Sequence, residues 1–101
     1  MPAKVIWAPS ALSDLEAIIT YIAADNPSAA VRVGETILTV GDRLALLPRI
    51  GQVLRDAELA GMREVVCGNY RVIHELLENE TLVSIVRVWH GARGEPVRPS
   101  A

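Results

Sequence analysis

The chain has 101 residues, half of them apolar and 22% charged, enough for one domain with a single core and too few for a multidomain assembly. Its net charge of −2, from 10 basic and 12 acidic side chains, argues against wholesale nucleic-acid binding, where neutralised phosphates supply most of the affinity. The lone Cys67, the lack of a basic-then-apolar opening and apolar runs far shorter than roughly 20 residues argue against a disulfide scaffold, a secretory leader and a membrane span, and point to a reducing cytoplasm.

Ala3 to Ala8, with Val5, Ile6 and Trp7 bounded by Pro2 and Pro9, predicts a strand. From Pro9 the apolar residues Leu12, Leu15, Ile18, Ile19 and Ile22 recur at three- and four-residue spacing, with Asp14 and Glu16 early, which predicts an amphipathic helix ending near Asp25. Asn26 then supplies an N-cap and Pro27 the first position of a second helix, whose stripe of Ala30, Val33, Ile37, Val40, Leu44 and Leu47 closes at Pro48. Gly34 and Gly41 each cost this helix roughly 1 kcal/mol relative to Ala; either the backbone passes close to another element there or the helix simply tolerates them. Pro48 to Gly61, with mixed charge and little period, reads as a connecting loop or irregular strand entry. Met62 to Cys67, Tyr70 to Leu77 and Thr81 to His90 are β-rich runs separated by Gly68-Asn69 and Glu78-Asn79-Glu80, which predicts an antiparallel meander. The order β-α-α-β-β-β predicts an α+β domain: an N-terminal strand and a two-helix hairpin packed on a C-terminal antiparallel sheet, with the domain in residues 1–93 and a tail in 94–101.

Chemistry has few places to reside. His74 lies mid-strand on the face of Tyr70, Val72 and Leu76, which suits a structural role, whereas His90 ends the last strand before Gly91, where a side chain can reach a loop-lined site. Strict alternation puts Arg87 with Val83, Ile85 and Trp89, and His90 with Leu82, Ser84, Val86 and Val88, so the two project oppositely. Nine of the ten basic residues are Arg, a composition suited to planar, bidentate contacts, and Arg63, Arg71, Arg87 and Arg93 all fall in or just beyond the meander. Glu58, Glu64, Glu75, Glu78 and Glu80 in the same half can neutralise them as ordinary ion pairs. One Cys and two separated His give no metal-ligand spacing, and neither a phosphate-binding glycine loop nor a nucleophile elbow is present, so no metal or cofactor is expected.

The ordered set of Trp7-Ala8-Pro9, Asp14-Leu15, Ile18, Tyr21-Ile22-Ala23, Asn26-Pro27 and Ala30, followed by Leu47-Pro48, Ile50-Gly51, Gly61-Met62-Arg63, Tyr70-Arg71-Val72-Ile73 and Arg87-Val88-Trp89-His90-Gly91-Ala92-Arg93, resembles the RelE/ParE superfamily of bacterial toxins over nearly the whole chain. The fold that resemblance implies, a helical hairpin on an antiparallel sheet, agrees with the order read from periodicity. Ala8 departs from the Ser that relatives commonly carry as a helix cap, at a local cost of ~1 kcal/mol.

The resemblance implies two activities on one scaffold. RelE-like members cleave mRNA in the ribosome by attack of a ribose 2′-hydroxyl on the adjacent phosphate, which requires a base, an acid and a cation; Arg71 matches the cation and His90 the acid, while Glu58 or Glu64 as base is placed by no motif. ParE-like members instead bind and poison DNA gyrase without catalytic residues of their own, and the Tyr-Arg-Val-Ile strand, the His-Gly-Ala-Arg ending and the acidic balance most resemble that branch. A relative that only binds an antitoxin is a third class. Candidate target contacts are Arg63, Tyr70, Arg71, Arg87, His90 and Arg93. Every branch implies a ParD-like or similar antitoxin that folds onto the toxin in a hetero-oligomer, with Leu15, Ile18, Tyr21, Ile22, Ile37 and Val40 of the hairpin as candidate contacts.

Overall fold

The computed structural model describes residues 2–55, 58–94 and 96. Strand β1 (Lys4–Trp7) leads into helix α1 (Pro9–Ala23), and a short turn joins it to α2 (Pro27–Leu46). A two-residue strand β2 (Gln52–Val53) precedes β3 (Arg63–Cys67), β4 (Tyr70–Leu77) and β5 (Leu82–His90); one turn of 3-10 helix follows β4 (Glu78–Glu80) and another follows β5 (Gly91–Arg93). The five strands form one sheet in the order β1-β5-β4-β3-β2. The meander from β2 to β5 is antiparallel, as expected. The sheet as a whole is mixed, because β1 pairs parallel with β5, from Lys4 opposite Leu82 to Trp7 opposite Ile85. A parallel pair needs a long crossover, and the helical hairpin with the meander behind it provides one.

Local chemistry sets the helix boundaries. Asn26 caps α2, its side-chain oxygen accepting the Ala29 amide at 3.1 Å, with Pro27 at the first helical position. Ala8 offers α1 no such cap, but Ser10 ties the first turn to the sheet by donating to the Val86 carbonyl at 2.6 Å. Both α2 glycines mark close approaches. A β carbon at Gly34 would stand 2.9 Å from Ile19 Cδ1, and one at Gly41 would stand 3.2 Å from Trp7 Cζ2. The propensity lost at these positions lets α2 settle onto α1 and β1.

Both faces of the sheet are covered. On the helix face, Ala11, Ile37, Val40 and Leu44 pack against Val65, Val72, Val83, Ile85 and Val88. On the outer face a smaller cluster forms where Leu54, Leu59 and Met62, from the segment before β3, lie against Ile73, Val86 and Trp89. The division depends on a bulge: the β4–β5 register steps from Ile73 opposite Arg87 to His74 opposite Ile85, leaving Val86 extra. Strict alternation therefore fails on β5. Val83, Ile85 and Val88 share the helix face, while Val86 and Trp89 share the other, so Arg87 parts from Val83 and Ile85, and His90 from Ser84 and Val86.

Packing also continues past residue 93. The Trp89 indole N–H donates to the Gly94 carbonyl at 3.0 Å, and Pro96 is buried. The rest of the expected 94–101 tail, Glu95 and residues 97–101, lies outside the described residues.

Candidate functional site

The end of the sheet away from β2 gathers most of the candidate residues, on two faces. Tyr70 and His90 are cross-strand partners, their rings edge to face with centroids 5.1 Å apart. With Asp14, Ala17, Ile18, Tyr21 and Ile22 of α1 and with Val88 and Arg93, they line a groove of about 490 Å³. His90 Nδ1 accepts the Ala92 amide at 3.0 Å, which places the neutral ring's proton on Nε2 and fixes the turn after β5. Burial pushes the Tyr70 phenol above its ordinary pKa, so it remains a neutral donor.

Arg71 lies opposite Trp89 in the register and therefore on the other face from its neighbour Tyr70. Its Nε donates to Glu64 across β3 and β4 at 2.5 Å, with both side chains mostly buried. Arg71 and His90 thus approach the rim of the sheet from opposite sides, meeting only along a shallow depression formed with Val66, Gly68, Asn69, Tyr70, Gly91 and Ala92.

Arg87 is bound most tightly. Its Nε and Nη2 each donate to a different oxygen of Asp14 at 2.8 Å, and the same carboxylate accepts the Val88 amide at 3.0 Å. That hydrogen bonding holds the guanidinium above its already high ordinary pKa. The Arg87 guanidinium also stacks over Trp89 at 4.8 Å, and Arg93 over the same ring at 3.9 Å. Arg63 lies apart from this group, bonded to the carbonyls of Arg49 at 3.0 Å and Gly51 at 3.4 Å.

Periodicity missed two of the residues that organise this end. Asp14 read as an ordinary early-helix acid, yet it joins α1 to β5 across 73 residues of sequence. Trp89 read as a strand apolar, yet it carries two stacked cations. No local pattern encodes either role; Arg87 and Trp89 share a face by simple alternation, and the bulge at Val86 is what turns that pair to the outer face.

The hairpin candidates divide by burial. Tyr21 is 82% exposed, and Leu15, Ile18 and Ile22 are half-buried. Ile37 and Val40 are core residues at 0% and 3% exposure, so they offer a partner no side-chain surface; the α2 stripe they belong to is the one that packs on the sheet. Among the described residues, no helix is long and apolar enough to cross a membrane, and no three His, Cys, Asp or Glu side chains converge as a metal site would require.

Residues 5–94 match the family described as the ParE toxin of the type II toxin-antitoxin system parDE. The chain belongs to the ParE toxin family, within the RelE/ParE superfamily. This toxin is 38% identical over 91 residues to Toxin RelE2 of Caulobacter vibrioides, a match spanning 90% of the chain and 98% of the relative. A solved structure of the chromosomal ParDE toxin-antitoxin system of P. aeruginosa has the same fold, with a TM-score of 0.74 at 18% identity, covering 87% of the toxin and 95% of that chain. The toxin-antitoxin complex RelBE2 from Mycobacterium tuberculosis aligns with a TM-score of 0.68 at 28% identity, covering 89% and 99%. The fold inferred from sequence is thus the fold of both branches, and this toxin is a type II toxin-antitoxin toxin whose branch must be argued from its residues.

Proposed function

We propose that this toxin acts by binding, as a ParE-like poison of DNA gyrase. One observation carries the reading: Arg71 and His90, the cation and acid a ribonuclease would need, meet only along a shallow depression, with Arg71 already engaged by a carboxylate. Arg71 and His90 come from opposite faces of the sheet, Arg71 is engaged by Glu64, and Arg87 is engaged bidentately by Asp14. In-line attack on a phosphodiester needs base, acid and cation within reach of one phosphate. A scaffold whose two central guanidiniums, Arg71 and Arg87, are paired with carboxylates and used to lock the fold suits recognition of a protein surface better. Gyrase, supercoiled plasmid and the toxin, mixed and then denatured, should yield linear DNA in proportion to toxin, and Arg71→Ala and His90→Ala variants that fold should retain at least part of the effect.

The 38% identity to a protein named Toxin RelE2 favours a second reading, cleavage of mRNA in the ribosome. Ribosomes programmed with a defined message separate the two. Cleavage that disappears in Arg71→Ala, with no linear plasmid from gyrase, would replace the first reading with the second.

Under either reading the toxin is held inactive by a cognate antitoxin, a reading supported by its likeness to the toxin-antitoxin complex RelBE2. The exposed Tyr21, with Ile18 and Ile22 behind it, supports the outer side of α1 as one contact, where an amphipathic segment of the antitoxin would cover the groove.

A further inference from the structure

Among the described titratable side chains that this functional reading leaves unused, His74 is fully buried, and it occupies an unusual place. Neither ring nitrogen meets a partner in good hydrogen-bond geometry, the backbone of Pro48 and of Val72 making only weak approaches to it. Buried polar groups are nearly always paired, so an imidazole enclosed this way is held by its surroundings rather than by its own bonds. Those surroundings include the segment that connects α2 to β3. Arg63, directly opposite His74 in the β3–β4 register, donates to the carbonyls of Arg49 and Gly51 and so fastens that segment beside the ring.

We infer that His74 is a proton-operated latch, and that its protonation releases residues 47–53, including β2, while the β1-β5-β4 part of the sheet remains folded.

The electrostatics of the site run in one direction. The charged group facing His74 from β3 is Arg63, a cation. Its β5 partner is Ile85, which cannot compensate a charge. From the connecting segment the guanidinium of Arg49 is turned to Glu80, at 3.0 Å. Strand alternation sends the neighbouring carboxylates Glu64 and Glu75 to the outer face, where Glu64 is engaged by Arg71. The backbone of Pro48 and Val72 pulls toward the charged form, but burial and Arg63 outweigh it, and the ring's pKa falls from 6.5 to about 4.

Once the segment lifts, the ring meets water and recovers its ordinary affinity for protons. Between pH 6.5 and about 4 the released form therefore holds one more proton than the closed form, and acid favours release about tenfold per pH unit. Release takes the segment first because it is held lightly: β2 makes only two residue pairs with β3, both of its residues are exposed, and Arg63 is its bridge to the sheet. The β1–β5 and β4–β5 pairings extend over four and eight residue pairs.

The test uses the full wild-type chain in solution. Ring proton and carbon resonances of His74 are followed from pH 7.5 to 4, together with amide exchange at Ile50 and Leu54, which bond to the Leu47 and Met62 carbonyls, and at Ala8, which bonds to the Ile85 carbonyl. The expected result is a His74 titration well below 6.5 and opening at Ile50 and Leu54 that rises about tenfold per pH unit, after correction for intrinsic exchange, while Ala8 changes far less. His74→Leu should abolish the pH dependence at Ile50 and Leu54. A His74 titration at 6.5 or above, or the three amides opening in step, would overturn the latch. If His74→Leu does not fold, the wild-type titration and exchange decide alone.

Discussion

The Asp14–Arg87 pair offers the sharpest test of how this fold is held together. Asp14→Ala removes three hydrogen bonds at once, two to the guanidinium and one to the Val88 amide, at a site where the Arg87 and Asp14 side chains are only 14% and 9% exposed. Breaking one side of a buried pair costs ~3–5 kcal/mol. The stack on Trp89 still supports Arg87 from one side, which sets the expectation near the lower end, at ~3 kcal/mol. A domain of this size loses ~4–8 °C of Tm per kcal/mol, so a drop of about 12–24 °C is expected. Urea unfolding followed by tryptophan fluorescence should show a lower midpoint at an unchanged slope. Asp14→Asn, which keeps an acceptor for the Val88 amide, should fall between variant and wild type. A loss under ~1 kcal/mol for Asp14→Ala would mean that desolvation cancels the attraction, and would refute the assignment of Asp14 as the main tie between α1 and β5.

Other expectations follow from single contacts. Gly51→Ala should cost more than ~2 kcal/mol in urea midpoint analysis, because φ at Gly51 is +92° and a β carbon there would stand within van der Waals overlap of the Glu64 carbonyl. Gly41→Val should cost ~1–3 kcal/mol by forcing Trp7 away from α2, measured the same way. Tyr21→Ala should leave Tm within ~1 °C, since the side chain is 82% exposed, yet weaken antitoxin binding at least tenfold by calorimetry; unchanged affinity would move the antitoxin contact elsewhere. Ser10→Ala should cost ~1 kcal/mol through loss of its bond to the Val86 carbonyl, seen as a few degrees of Tm.

The elements of the fold were legible because each is encoded locally. Asn26-Pro27 marks the start of α2, the three-and-four spacing of Leu12 to Ile22 marks α1, and Gly68-Asn69 marks the hairpin, with φ at Gly68 of +59° where a tight turn needs it. What sequence could not convey was relation across distance. Nothing in Lys4–Trp7 says that its partner is the last strand and that the pairing is parallel. Nothing in Ile85-Val86-Arg87 announces a bulge, and that one extra residue reassigns every later side chain of β5 to the other face. Candidate site residues chosen by strand position were therefore placed correctly along the sheet but not always across it. The stripe that made Ile37 and Val40 attractive as partner contacts is the same stripe that buries them, because periodicity reports that a face is apolar and not what covers it.

The strand order has a consequence for the timing of synthesis. As the chain emerges from the ribosome, β1, α1 and α2 precede the strands β3, β4 and β5 that build the surface they pack on, and β1 pairs with β5, the last made of the five strands described. The first half can pack α2 on α1 and β1, but its sheet-facing side lacks its partners until β5 is made as far as Ile85, and Arg87 and Val88, the partners of Asp14, follow later still. The sheet thus closes only after β5 has been made, and a ribosome that stops before β5 leaves the N-terminal elements without the sheet they pack on. Closure of the sheet and completion of the groove at its end then coincide, because both wait on the second half of β5, which supplies Val88 and His90 to the groove.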